Sequence, residues 1–159
     1  MIPDAACPLE AQIANRAITH LSVVSVQLER LLLARAPLQR LHAVLAGGGP
    51  TSASVVHRAI ESGVPLHLTY GMTETASQIT TTEKLTACPS RIHAGKPLPG
   101  RELRISPSGE VQVRGGILAT GVLTSSGQLE SITDAEGWTS TRDVGTLNKN
   151  NELILLGRR

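Results

Sequence analysis

Residues 41–69 alternate between strand, turn and helix patterns in an order that few folds accommodate. An apolar run over 41–46 leads into Gly47-Gly48-Gly49-Pro50, and a second apolar run covers 64–69. Between them lies a helical pattern over 52–62, and Gly63 suits the position after the last helical turn. Strand, glycine-rich turn, helix and strand in this order predict a βαβ unit, whose parallel strands are joined by a right-handed crossover.

The segments on either side of this unit also carry local patterns. Helical patterns over 8–18 and 26–35 precede it, the second ended by Pro37, with a short strand pattern over 19–23 between them. The polar segment 75–82 follows it and suits a short helix or a loop. We therefore expect helices and parallel strands to dominate the first half of the chain.

The last part of the chain loses helical periodicity and becomes rich in proline and glycine. Short alternating runs are separated there by turn signals at 107–109, 134–137 and 148–151, which indicates antiparallel strands. The predicted fold class is therefore α/β. A partial parallel sheet with a βαβ unit occupies 1–87, and a small antiparallel β subdomain occupies 88–159.

The composition argues against several classes of protein. The 159 residues are 40% hydrophobic and 18% charged, which is typical of a globular protein and not of a disordered one. The net charge is only +2 and the basic residues are scattered, which argues against a nucleic-acid partner. No apolar run reaches the length of a membrane span and no secretion signal is visible, so we expect a cytoplasmic protein. Cys7 and Cys88 lack metal or redox spacing and predict two reduced thiols.

The pentapeptide Tyr70-Gly71-Met72-Thr73-Glu74 follows the second strand of the βαβ unit. Ligands of open α/β sheets bind at the carboxyl ends of the strands, which is where these residues would lie. An aromatic ring can stack on a base, and a glycine lets the backbone approach a ligand. A hydroxyl can bond a phosphate, and a carboxylate can hold Mg²⁺. The pattern indicates a nucleotide site, with Gly47-Gly48-Gly49 at the end of the neighbouring strand.

Each of these features also has a purely structural interpretation. Gly71 suits a turn, Thr73 a helix cap, and Glu74 a first-turn acid favoured by the helix dipole. The glycine-rich stretch suits a tight turn, 109–115 suits an ordinary turn and strand, and Asp143 suits a turn acid. What favours a functional interpretation is their occurrence together in one order.

That order resembles the adenylate-forming superfamily of acyl-CoA synthetases. After the glycine-rich turn come Tyr-Gly-x-Thr-Glu at 70–74, Gly-Glu-x-x-Val-x-Gly at 109–115, Thr-x-Asp at 141–143 and Gly-Arg at 157–158. The resemblance covers nearly the whole chain. The string YGMTETASQ at 70–78, with Gly-Lys-Pro-Leu at 95–98, is most similar to the o-succinylbenzoate–CoA ligase branch, which serves menaquinone biosynthesis.

The resemblance implies a reaction in two halves that uses ATP, Mg²⁺ and CoA. A carboxylic acid attacks the α-phosphate of ATP to give an acyl-adenylate and pyrophosphate, and the CoA thiol then displaces AMP. Tyr70 would pack against adenine, Thr73 would contact the phosphate, and Glu74 would help to hold Mg²⁺, so that Thr73 and Glu74 are the implied catalytic residues. Asp143 would accept hydrogen bonds from the ribose, and Arg158 would lie near the same sugar. The other implied nucleotide-binding residues are Gly47, Gly48, Gly49, Gly71 and Met72.

Three departures from the superfamily pattern accompany the resemblance. A phosphate loop rich in Ser, Thr and Gly, with its Lys, is expected before the glycine-rich turn and is not seen. A domain with a catalytic Lys is expected after Gly157-Arg158. Arg142 stands where the family usually has Gly, and a long cation there would crowd the ribose or pair with a phosphate. We therefore expect part of a large domain, with little activity alone, that depends on the missing parts of the same enzyme or self-associates.

Two other functions stay open at this stage. One is a non-catalytic nucleotide-binding module, and the other is a ligase for a different aryl or fatty acid. Polar side chains at Thr75, Ser77 and Gln78 favour an acid with a second polar group, unless they cap a helix instead.

Overall fold

The computed structural model describes residues 7–15 and 17–159. They form two compact units. The first contains the described residues up to Thr69 together with Thr82–Ile92, and the second contains Tyr70–Thr81 together with His93–Arg159. The chain thus enters the second unit, returns to the first and leaves it again. The division into domains after residue 87 stays a prediction.

The first unit is built on parallel strands joined by helices. Its strands are β1 (His20–Val24), β2 (Ala43–Gly47) and the first part of β3 (Leu66–Met72), and its helices are α1 (Leu9–Asn15), α2 (Ser25–Leu33) and α3 (Ala53–Glu61). Strand β2 pairs in parallel with β1 on one side and with β3 on the other. The predicted βαβ unit, β2–α3–β3, is therefore confirmed.

Helix α3 begins and ends where its sequence predicts. The Ser52 hydroxyl accepts a hydrogen bond from the N–H of Val55 at 3.4 Å, which satisfies one free donor of the first turn. Gly63 follows the last turn with φ +71°, a left-handed conformation that glycine adopts without strain. The face that contains Val55, Val56 and Ala59 is buried.

Helix α2 ends earlier than predicted, and not because of Pro37. Its last residue is Leu33, and Arg35 has φ +52°. The N–H of Ala36 donates back to the carbonyl of Leu31 at 3.0 Å, the pattern of a left-handed helix end. The prediction that the proline terminates this helix is wrong, because the reversal is complete before the proline is reached.

The core of the first unit is aliphatic throughout. Its buried side chains come from all three strands and from the helices, and include Val23, Leu28, Val44, Val56 and Leu66. Strand β1 pairs only with β2 among the described strands, so its other edge is free. Val26 and Leu33 lie next to this edge strand on α2 and are 58% and 68% exposed. Among the described residues, no helix has both the length and the apolar character needed to cross a membrane.

The second unit is predominantly antiparallel, as predicted. Four strands pair in the order β11 (Leu153–Arg158), β10 (Thr139–Leu147), β7 (Glu110–Gly115) and β6 (Arg101–Ile105). Strand β4 (Ser77–Thr81) pairs with β5 (Lys96–Pro97), and β8 (Val122–Leu123) pairs with β9 (Leu129–Glu130). The three predicted turns are present, since the N–H groups of Gly109, Gly137 and Asn151 each donate back three residues.

The segment 75–82 is a strand and not the predicted helix or loop. A single 3₁₀ turn covers Thr73–Thr75, and β4 follows at once. Its residues Ile79 and Thr80 are fully buried, and the Thr80 hydroxyl donates to the carbonyl of Ala94 at 2.7 Å. Burial of β-branched side chains in this unit therefore overrides the polar character of the local sequence.

The core of the second unit contains Tyr70, Ile79, Ala94, Val111, Val113 and Leu153. Trp138 lies outside this cluster with two guanidinium groups against its ring. Arg104 lies 4.1 Å and Arg114 lies 4.7 Å from the ring centroid, both within the range of cation–π attraction. Trp138 is the only tryptophan and Tyr70 the only tyrosine of the chain, so each reports on the second unit alone.

Candidate nucleotide site

Tyr70 is the aromatic residue of the predicted site, and it lies within strand β3 instead of after it. Only 7% of its surface is exposed. Its hydroxyl donates a hydrogen bond of 2.6 Å to Oδ2 of Asp143. Burial raises the pKa of Tyr70 well above its usual range, and the bond to Asp143 raises it further, because the phenolate would meet a carboxylate. The tyrosine is therefore a neutral donor.

Asp143 and Arg158 lie opposite each other on strands β10 and β11. The Nε of Arg158 is 3.8 Å from Oδ1 of Asp143, and the arginine is 74% exposed. A carboxylate has about four lone-pair positions, and Tyr70 uses only one of them. The pair therefore presents acceptor oxygens and a mobile cation side by side.

Strand β10 loops outward immediately before Asp143. Ser140 pairs with Gln112 of β7 and Val144 pairs with Glu110, so that three residues of β10 oppose one residue of β7. Within this bulge Arg142 has φ +64°. Glycine adopts that conformation freely, whereas for other residues it costs roughly 1 kcal/mol or more. Glycine at this position would therefore remove the strain.

The loop after β3 folds back tightly on the strand. A Cβ atom at Gly71 would overlap the carbonyl oxygen of Ser77, so only glycine fits there. Ala76 and Ser77 both have positive φ, at 52° and 126°. The turn thus brings the start of β4 against the backbone of Gly71, and the glycine serves this close approach within the protein.

Thr75 holds this loop together. Its hydroxyl accepts the N–H of Met72 at 3.1 Å and lies 2.9 Å and 3.0 Å from the carbonyl oxygens of Met72 and Ser77. It is almost completely buried. Thr75 therefore has a structural role in this loop, where its hydroxyl is already used within the protein.

Thr73 and Glu74 are left at the surface of the loop. Thr73 is exposed and Glu74 is half-buried. The backbone carbonyl of Glu74 accepts the N–H of Ala119 at 2.8 Å, which fixes the position of the main chain. Its carboxylate has no hydrogen bond or ion pair within the described part of the chain, so it is available to a ligand or a cation.

A magnesium ion fits this arrangement only together with a nucleotide. No cluster of three or more His, Cys, Asp or Glu side chains exists among the described residues. Mg²⁺ usually binds one or two carboxylates and takes its other ligands from phosphates and water. The free carboxylate of Glu74 suits that role. A single carboxylate does not form a complete binding site for the ion by itself.

The three glycines at the end of β2 belong to the first unit, and the structure requires glycine at two of these positions. A Cβ atom at Gly47 would overlap the hydroxyl oxygen of Thr69 on β3. Gly48 has φ +72°. A Cβ atom at Gly49 would meet nothing within 4 Å, so neither packing nor strain requires glycine there. Gly49 is therefore the best candidate of the three for a ligand contact.

The second unit thus brings together Tyr70, Asp143 and Arg158, which lie far apart in the sequence. Two residues that support this geometry through hydrogen bonds to the backbone, Thr75 and Glu110, were not predicted as nucleotide-binding residues. Glu110 stands in the quoted motif at 109–115, but nothing in the sequence shows which backbone group its side chain contacts.

The fold and these motifs define a member of a known class. A family model of AMP-binding enzymes matches residues 2–129, and the chain belongs to this family. It is 38% identical over 151 residues to 2-succinylbenzoate–CoA ligase of Escherichia coli strain K12, an alignment that covers 95% of this chain and 31% of that enzyme. The chain therefore spans about a third of the length of this relative.

Solved structures of o-succinylbenzoate CoA synthetase from Bacillus subtilis share the fold. The complex with the acyl-adenylate intermediate OSB-AMP has a TM-score of 0.82 and 29% identity, and covers 94% of this chain and 33% of that one. The complex with ATP and magnesium ion has a TM-score of 0.80 and 29% identity with the same coverage. The predicted α/β class and the resemblance to adenylate-forming enzymes are confirmed.

Proposed function

We propose that this chain supplies nucleotide-binding groups of an AMP-forming acid–CoA ligase that acts on o-succinylbenzoate. The observation that carries the proposal is the Tyr70–Asp143 hydrogen bond with Arg158 beside it. The acid is inferred from the relatives, which are ligases of 2-succinylbenzoate. The relatives extend well beyond the stretch matched here, so a complete reaction draws on groups that these residues do not supply.

Asp143 has the chemistry to bind the ribose of the nucleotide. An ionised carboxylate only accepts hydrogen bonds, and the two hydroxyls of a ribose can donate two. The bond from Tyr70 fixes the rotation of the carboxylate, so that less conformational entropy is lost when the sugar binds. Arg158 donates only, so it suits a ribose or phosphate oxygen nearby.

Thr73 and Glu74 would face the phosphates of the same nucleotide. The Thr73 hydroxyl is exposed and can donate to a phosphate oxygen. Mg²⁺ bound with the nucleotide would neutralise charge on the phosphoryl oxygens. The Glu74 carboxylate would hold that ion, and the backbone bond from Ala119 keeps Glu74 in place.

A titration calorimetry experiment tests nucleotide binding directly. Mg-AMP is titrated into the 159-residue chain and into a Tyr70→Ala, Glu74→Ala double variant. Saturable binding that is lost in the double variant supports the proposal. A folded chain that binds no Mg-AMP contradicts it.

A second ligand, which lacks the ribose hydroxyls, shows how much of the affinity for AMP comes from recognition of the ribose. The wild-type chain should bind 2′,3′-dideoxy-AMP roughly tenfold or more weakly than AMP, because a charged hydrogen-bond partner is left unused. Asp143→Ala, which removes the acceptor oxygens, should bind the two ligands with nearly equal affinity. An Asp143→Ala variant that still prefers AMP as strongly as the wild type contradicts the assignment of Asp143.

Catalysis is tested by adding the parts of the relatives that this chain does not span. An N-terminal fragment and a C-terminal fragment of such a relative are supplied together, and ATP–pyrophosphate exchange with o-succinylbenzoate is measured. Restored exchange supports the ligase, whereas AMP binding without exchange in an assembled complex favours a non-catalytic nucleotide-binding module. Exchange with another aryl or fatty acid alone would reassign the substrate. We expect the protein to work in the cytoplasm, where ATP and CoA are available.

A further inference from the structure

The bulge in β10 leaves backbone groups that the regular sheet cannot pair. Three residues, Thr141, Arg142 and Asp143, oppose a single residue of β7. An unpaired backbone N–H away from water costs about as much as a lost hydrogen bond. The sheet does not pair the two N–H groups next to the proposed ribose-binding carboxylate, those of Arg142 and Asp143, so other acceptors are open to them.

Glu110 and Thr141 are those acceptors. Oε1 of Glu110 accepts the N–H of Arg142 at 3.0 Å. The Thr141 hydroxyl accepts the N–H of Asp143 at 3.1 Å and donates to the carbonyl of Val111 at 2.9 Å. The carboxylate of Glu110, on the neighbouring strand β7, thus holds Arg142 in its left-handed conformation.

The carboxylate of Glu110 is itself fixed. It is only 15% exposed, and its second oxygen lies 3.9 Å from Nη1 of Arg159. Arg159 in turn donates its backbone N–H to the carbonyl of Arg142 at 2.9 Å and its Nη2 to the carbonyl of Ser108 at 3.0 Å. Glu110 and Arg159 therefore hold the bulge from two sides.

We propose that Glu110 is a positioning residue, which holds the bulge at Arg142 and so directs the Asp143 carboxylate onto Tyr70. Bulges re-aim side chains, and an unbulged strand shifted by one residue presents the opposite set of side chains. Without an acceptor for the Arg142 N–H, β10 loses the geometry that places Oδ2 of Asp143 on the Tyr70 hydroxyl. The consequence for nucleotide binding rests on the proposed function.

The hydrogen bond of Tyr70, the only tyrosine, can be followed by a spectroscopic signal that does not depend on the overall stability of the protein. With tyrosine isotope-labelled at Cζ, the nuclear magnetic resonance signal of Tyr70 is assigned without ambiguity and reports on its hydrogen bond. The variant Asp143→Ala serves as the reference, because it shows where the Tyr70 signal lies when the hydroxyl has lost its acceptor. Glu110→Ala should move the Tyr70 signal most of the way to that position, while Glu110→Gln, which keeps an acceptor oxygen, should restore most of the wild-type position.

A matched control lies on the neighbouring strand. Glu102 forms a two-point ion pair with Arg114 at 2.6 Å and 3.0 Å and does not contact the bulge. Glu102→Ala should leave the Tyr70 signal unchanged. In Mg-AMP titrations Glu110→Ala should lower the affinity about tenfold, as expected for one lost hydrogen bond, whereas Glu102→Ala should not change it.

The outcomes separate this inference from the proposed function. A Glu110→Ala chain that keeps the wild-type Tyr70 signal overturns the positioning role, whatever the nucleotide affinity. A wild-type chain that binds no Mg-AMP overturns the proposed function, and the Tyr70 signal still decides on Glu110. If Glu110→Ala does not fold, Glu110→Asp carries the test, because its shorter side chain withdraws the acceptor but keeps the charge. An unchanged signal in that variant also overturns the role.

Discussion

The hydroxyl of Tyr70 donates to the carboxylate of Asp143 at 2.6 Å, although the two residues are 73 positions apart in the sequence. The bond joins strand β3 to the bulge of β10 inside the second unit. It keeps the tyrosine neutral and sets the rotation of the carboxylate. The strength of this bond can therefore be measured in two ways, through the free energy of unfolding and through the dependence of stability on pH.

Removal of the Tyr70 hydroxyl should destabilise the second unit. Tyr70→Phe keeps the buried ring but deletes a hydrogen bond to a charged group, and we expect a loss of about 1–3 kcal/mol in the free energy of unfolding. Urea unfolding followed by Trp138 fluorescence measures this loss, because that single tryptophan lies in the same unit. An unchanged denaturation midpoint would show that the bond contributes nothing to stability.

Stability should also decline at alkaline pH because of the same residue. The pKa of Tyr70 is raised by burial and by Asp143, so the folded state favours the neutral phenol. Its contribution is complete below the unfolded pKa of about 10 and is lost as the pH rises above that value. The melting temperature should therefore fall more steeply above about pH 10 in the wild type than in Tyr70→Phe. Parallel pH profiles for the two proteins would contradict this assignment.

Gly71→Ala should disrupt the loop between β3 and β4. Its Cβ atom would overlap the backbone of Ser77, which cannot move without breaking the turn held by Thr75. We expect a loss of at least about 3 kcal/mol, at the upper end for an overpacked site. Gly116→Ala is the matched control, since a Cβ atom there meets nothing within 4 Å. Equal stability of the two variants in thermal unfolding would rule out the close approach.

Arg142→Gly should stabilise the protein. The left-handed conformation at φ +64° strains an arginine, and glycine removes that strain at some cost in unfolded-state entropy, for a net gain of up to about 1 kcal/mol. Ser140→Gly is the control, because Ser140 lies in the regularly paired part of β10 and should lose stability instead. Chemical denaturation of both variants measures the difference. A loss of stability in Arg142→Gly would mean that the arginine side chain makes a contribution that outweighs the strain.

The isolated chain should self-associate through the first unit. Val26 and Leu33 are two turns apart on α2 and largely exposed, and strand β1 of the same unit has a free edge among the described strands. Lysine at both positions should shift the mass in sedimentation equilibrium toward the monomer, with little change in stability. The same change at Leu155 and Leu156, exposed in the second unit, should have a smaller effect. A monodisperse wild-type monomer with a sharp thermal transition would contradict the prediction.

Local sequence was enough to predict elements whose signals are local. The cap at Ser52 and the glycine at position 63 mark the ends of α3, and the turns at 107–109 and 148–151 mark the antiparallel strands. Strand β4 escaped prediction because its burial comes from residues such as Ala94, which lie elsewhere in the chain.

Three of the predicted site residues, Tyr70, Asp143 and Arg158, lie together in the structure, but their geometry could not be predicted. Motif order selects Tyr70 and Asp143, yet nothing in the sequence indicates that one donates to the other. The bulge at Arg142 also breaks the two-residue alternation by which strands are recognised, so the direction of the Asp143 side chain was not predictable. The contact of Glu110 depends on the same bulge, whereas the contacts of Thr75 depend on the tight loop between β3 and β4. The ligand-binding roles of all these residues stay predictions.

Strand β3 gives Leu66–Thr69 to one unit and Tyr70–Met72 to the other, and the chain then returns to the first unit at Thr82. When two genes recombine at a single crossover, all the sequence on one side of the crossover comes from one parent and all the sequence on the other side comes from the other parent. No single crossover in this gene can separate the two units, because each unit is encoded by two stretches that alternate with those of the other. A hybrid of two relatives made with one crossover would therefore combine two parental sequences within at least one core, so the two units should be inherited together.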